Sequence, residues 1–158
     1  MNRNEPESES KKGWRRAARS RLSMELGGLS FALKQGFSSF EYAAHLWRQG
    51  APRWMGKPDP SPEEYIRREI EAAQVLFPEV EMQWAGASDG HAEAHFVEGC
   101  PGGWGKDRWA VARRQSLEPA DVCAYCRSAF QTWGTALGLW VTTNPQPDGT
   151  CRLEAKAM

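Results

Sequence analysis

Two alternating apolar–polar segments, each broken by a glycine-bearing turn and each preceded by helical stretches, restrict this 158-residue chain to a mixed architecture. Residues 80–84 alternate, residues 86–90 (GASDG) form a turn, and residues 91–97 resume the alternation. Residues 137–143, the turn 144–149 (NPQPDG) and residues 150–155 repeat the arrangement near the C-terminus. Strands joined by short turns pair antiparallel, and one apolar face on each must be covered by another layer. The order helices, hairpin, helices, hairpin therefore predicts an α+β fold. Its antiparallel sheet is built from two hairpins and packed against helices, with an N-terminal helical extension.

Helical spacing supplies the covering layer. Lys11, Lys12, Arg15, Arg16, Arg19 and Arg21 open a helical stretch as a solvated basic face. From Leu22 the apolar positions Leu26, Leu29, Phe31 and Leu33 continue it, weakened by Gly27-Gly28. Ser38-Ser39 caps a second helix over 40–49, with Tyr42, Ala43, Leu46 and Trp47 inward. Residues 50–60 hold three prolines and two glycines and read as a linker. Ser61-Pro62-Glu63-Glu64 is a helix start, with a serine cap, proline at the first position and acids in the first turn. Tyr65, Ile66, Ile70, Ala73 and Phe77 then form its apolar face and Pro78 ends it. Residues 107–115 and a segment following residues 117–121 give two more helices, the second carrying Cys123 and Cys126. The chain thus divides into a polar tail at 1–12, a helical extension and linker at 13–60, and the α+β domain at 61–158.

Charge and hydropathy exclude some partners. Twenty basic and twenty acidic side chains cancel, so no global field draws nucleic acid or an anionic membrane. No apolar run reaches the roughly eighteen residues a spanning helix needs. The N-terminus has no apolar core of an export signal, which points to the cytoplasm. In that reducing compartment thiols serve metals or chemistry rather than disulfides.

All four cysteines lie in the later part of the chain, at C-x22-C-x2-C-x24-C. Cys123 and Cys126, three apart on a helix, share one face. With Cys100 and Cys151 from a loop and a hairpin end they would make a tetrahedral sulfur cage for zinc. An iron–sulfur cluster would use the same thiolates, although the spacing follows no familiar cluster run. As nucleophiles, Cys123 or Cys126 would need a base or cation, and Arg127 is the only adjacent charge. His91, Glu93 and His95 alternate along a strand and so share one face; they form an alternative metal or base set, or simply the wet face of a hairpin. His45 reads as structural.

Eight tryptophans are many for this length. Trp104, Trp109, Trp133 and Trp140, with Phe130, fall in the cysteine-bearing half and could line an apolar pocket between helices and sheet. The glycine-rich run 99–105 (GCPGGWG) fits neither phosphate-loop pattern and is better read as a close-approach turn.

Several of these features occur together in a known family. The hairpin ending in Cys100, the helix with Cys123 and Cys126, the turn at 133–138 (WGTALG) and the run 148–153 (DGTCRL) resemble the 4-vinyl-reductase-like small-molecule-binding domain. They are also similar to the related L-2-amino-thiazoline-4-carboxylate hydrolase-like proteins. The resemblance covers about 80–155 and implies a helix packed over an antiparallel sheet. It also implies a structural zinc on Cys151 and one or both of Cys123 and Cys126, beside a pocket for small aromatic or isoprenoid ligands. The family often carries a further cysteine where this chain has Thr142-Thr143-Asn144, so Cys100 or a non-cysteine ligand would have to replace it.

The expectation is a cytosolic sensor or accessory domain that binds a small apolar or thiol-containing ligand and holds a cysteine-ligated structural metal, zinc before iron–sulfur. The alternatives are a small hydrolase or thiol-dependent lyase using Cys123 or Cys126 with His91 or His95, and an accessory subunit docking on a protein partner or a second copy.

Overall fold

The computed structural model describes residues 9–77, 79–100 and 109–158. Helix α1 (Glu9–Lys34) is followed by α2 (Ser39–Trp47), α3 (Ala51–Met55) and α4 (Pro62–Leu76). A hairpin of β1 (Glu81–Ser88) and β2 (His91–Glu98) leads to α5 (Ala110–Arg114) and α6 (Pro119–Thr135), and β3 (Leu139–Pro145) and β4 (Cys151–Ala157) close the chain. The fold is α+β, and its four strands form one antiparallel sheet in the order β1-β2-β4-β3. The two hairpins are joined through β2 and β4, with Ala94 opposite Leu153 and Phe96 opposite Cys151.

Local chemistry accounts for most boundaries. Ser38 and Ser61 each accept the backbone N–H three residues on, while Glu41 and Glu64 return a carboxylate to the cap N–H. Both starts are therefore reciprocal capping boxes. Three expectations are corrected. Residues 9–12 belong to α1 rather than to a tail, and residues 1–8 lie outside the described set. The linker contains α3, because Pro52 stands in a first turn where its missing N–H costs nothing and Ala51 is buried. Phe31 and Leu46 are exposed rather than inward, and His45 faces solvent.

Alternation sets the sheet's two faces. Ala92, Ala94, Phe96, Leu139, Val141, Leu153 and Ala155 are buried on the inner face. Tyr65 and Ile66 of α4 cover it, with Phe130 and Trp133 of α6 packed alongside. A second core joins Leu22, Leu26 and Leu29 of α1 and Ala43 of α2 to Val111, Ala112, Val122 and Tyr125. Each fully buried leucine contributes about 1.5–3 kcal/mol, so the N-terminal helices are held firmly against α6. The basic face of α1 is partly neutralised within the chain: Arg15 and Arg19 reach Glu79, Lys12 pairs with Glu9, and Arg21 pairs with Glu25 at 2.6 Å. Among the described residues no helix is long and apolar enough to cross a membrane.

Candidate functional site

Helix α6 separates two cavities, and Cys126 lies in the wall of both. The smaller, of about 50 Å³, is enclosed by Cys100, Cys123, Cys126 and Cys151 together with Phe96, Trp109, Val122, Thr143 and Pro145. Cys123 and Cys126 come from adjacent turns of α6, Cys151 opens β4 opposite Phe96, and Cys100 follows the end of β2. The four cysteines, distant in sequence, thus line one cavity.

All four are thiols, with no disulfide among them. Burial pushes the Cys126 thiol well above its ordinary pKa, and Cys151, Cys100, Cys123 and then Glu25 oppose its ionisation further. Among the described residues, however, no group of three or more His, Cys, Asp or Glu side chains is already drawn up as a metal cage. Four soft thiolate donors around one small space match the ligand chemistry of zinc, which would have to draw the sulfurs in.

The larger of these two, of about 150 Å³, lies between α1, α4 and α6 and is bordered by tryptophans from α2 and α3. Trp47, Trp54, Phe77, Tyr125, Phe130 and Trp133 line it. Trp133 is the hub, with Trp47 edge-on at 5.5 Å and Trp54 edge-on at 5.3 Å between ring centroids. Such T-shaped contacts fix the indoles against one another. This volume falls in the range at which engineered apolar cavities take up benzene-sized guests.

Three charged side chains also reach this cavity: Arg21, Glu25 and Glu69. Glu25 is fully engaged, accepting from Arg21 and from the Tyr125 hydroxyl, which in turn accepts from Trp47 Nε1 at 2.9 Å. Burial beside this carboxylate raises the Tyr125 pKa. Glu69 forms no ion pair among the described residues. Burial raises its carboxyl from 4.5 to about 7, and interaction with the Tyr65 hydroxyl one turn earlier lowers it only in part. The Tyr65 hydroxyl is itself buried and lacks hydrogen-bond geometry to any partner, so it does not satisfy Glu69 fully.

The remaining expected site residues fall elsewhere. Phe130 and Trp133 line the aromatic cavity, but Trp109 belongs to the thiol cavity. Trp140 is half-exposed on β3 with Lys156 over its ring at 5.0 Å, apart from both. Trp104 and most of the glycine-rich run, residues 101–108, lie outside the described residues. His91, Glu93 and His95 occupy the outer face of β2, where His95 contacts Glu93, His91 lies 3.9 Å from Glu154 and Arg152 lies 3.7 Å from Glu93. Cys151 shares the inner face with Phe96, so the sheet stands between these histidines and the thiols. Trp47, Trp54, Glu25 and Glu69 were not expected at a site.

No family model, curated protein or solved structure matches the chain.

Proposed function

We propose that this chain is a small-molecule-binding domain in which a cysteine-held metal, zinc by the chemistry of its donors, braces the wall of an aromatic ligand cavity. The observation that carries this is the position of Cys126, shared between the four-thiol cavity and the aromatic one. Cys100, Cys123, Cys126 and Cys151 would hold the ion, which would tie the start of β4 and the end of β2 to α6. The aromatic side chains would supply an apolar surface for the ligand and exclude water from it. A reducing compartment such as the cytoplasm suits four thiols kept for a metal.

The chain's own residues offer a binding role more readily than a catalytic one. The imidazoles of His91 and His95 lie across the sheet from the thiols and His45 is exposed on α2, while in the aromatic cavity Glu25, Tyr125 and Trp47 are engaged with one another. Calorimetric titration with indole tests the binding role. Saturable binding that is lost in Trp133→Ala, with the variant still folded, is the expected result, and the absence of saturable binding to the wild type would refute it.

A further inference from the structure

We propose that metal occupancy of the four-thiol cavity regulates the aromatic one, a thiophilic divalent cation on the cysteines tightening the binding of the ligand beside it. This rests on the binding role and the metal proposed above, and adds an energetic link between the two sites. The link is built into one helix. Val122, Cys123 and Cys126 of α6 line the thiol cavity, while Tyr125, Cys126, Ala129, Phe130 and Trp133 line the aromatic one. At helical spacing these are two overlapping faces, and Cys126 belongs to both.

The thiol side cannot take up a metal without moving. Among the described residues no three His, Cys, Asp or Glu side chains stand as a ready cage, so an ion would have to draw the sulfurs in. Cys151 lies on β4, which is held in register between β2 and β3. At its far end α6 is seated on the sheet at Gly134, where a Cβ would lie 2.3 Å from Val141 Cγ2. With the sheet paired and that end seated, the adjustment falls on the turns of α6 that carry Cys123 and Cys126. Tyr125 stands on the same turns, and its hydroxyl donates to Glu25 and accepts from Trp47 Nε1 at 2.9 Å. The Trp47 ring in turn packs edge-on against Trp133 at 5.5 Å, so the adjustment reaches the opposite wall. An ion that fixes Cys126 thereby fixes the aromatic cavity before the ligand arrives, and a preorganised wall binds more tightly. Linkage makes the effect mutual, because the ligand must raise metal affinity by the same factor.

Calorimetry on the full chain under reducing conditions tests this, with zinc and indole as the probes. The zinc-loaded chain should bind indole at least about fivefold more tightly than the folded metal-free chain, and indole should raise zinc affinity equally. Cys123 and Cys151 do not line the aromatic cavity, so in the double variant Cys123→Ser, Cys151→Ser added zinc should no longer change indole affinity. Equal or weaker indole binding with zinc overturns the link alone, since both probes still bind. A zinc effect that persists in the double variant also overturns it. If the zinc-loaded chain binds no indole, the binding role fails as well, and if no zinc binds, the metal does. Should the metal-free chain or the double variant not fold, the zinc-loaded chain is compared with one loaded with the larger cadmium ion. Different indole affinities are then expected, and equal ones overturn the link.

Discussion

Glu69 lines the aromatic cavity with its carboxyl pushed by burial well above the usual carboxylate range. Its carboxyl ionises near 4.5 in an unfolded chain and near 7 in the folded one, so the folded state binds the extra proton between those values. Its contribution to stability is fully present below about pH 4.5 and is lost as pH rises towards 7, at up to roughly 1.4 kcal/mol per pH unit. Glu69→Gln should remove that slope, so urea unfolding across this range should show the wild type losing ground to the variant. Parallel profiles would contradict the assignment. A trace of this residue is readable in the sequence: Glu69 falls at helical spacing between the buried Tyr65 and Ala73 of α4, as Glu25 falls among Leu22, Leu26 and Leu29, and both carboxylates are partly buried. A carboxylate inside an apolar stripe signals a charge drawn partly out of water. Trp47 and Trp54 gave no comparable signal, because their role arises only where distant helices bring them to Trp133.

Elements with local causes were the most legible. The capping serines, the prolines in first turns and the alternating strands are short-range chemistry, and they set α2, α4 and both hairpins close to where spacing placed them. Helix α3 was hidden by its prolines and glycines, and the β2–β4 pairing that joins the hairpins depends on contacts no local pattern encodes. Two glycines mark where elements touch. Gly27-Gly28 read as a weak point of α1, yet the helix runs through it, and a Cβ on Gly28 would lie 2.2 Å from the Tyr42 hydroxyl. That gap admits Tyr42, whose hydroxyl donates to the Glu25 carbonyl at 2.7 Å. At Gly134 a Cβ would meet Val141 Cγ2 at 2.3 Å and Val141 Cβ at 2.7 Å, so α6 rests directly on β3. Alanine is the better helix former by about 0.8–1 kcal/mol, but overpacking costs about 1–3 kcal/mol, and the rigid valine leaves little room to yield. Gly134→Ala should therefore lower the unfolding midpoint in urea. An unchanged or raised midpoint would mean that α6 can shift away from the sheet.

At the scale of the whole molecule, α6 is the shared support. One side packs Phe130 and Trp133 towards the sheet, and another packs Val122 and Tyr125 against α1 and α2. The helical extension is thus continuous with the α+β part through a common helix, and the ligand cavity is built from both. The four cysteines line one cavity because β4 pairs with β2 and both hairpin ends meet α6 there, a long-range arrangement that their spacing alone does not encode. The neighbouring aromatic cavity was only half legible, since its walls come equally from helices that read as a separate extension. The proposed metal on the four thiols beside that cavity is open to elemental analysis of the purified chain. Close to one zinc ion per chain is expected, falling to background in Cys126→Ser. Wild-type protein prepared under reducing conditions with zinc supplied, yet carrying no bound metal, would contradict it.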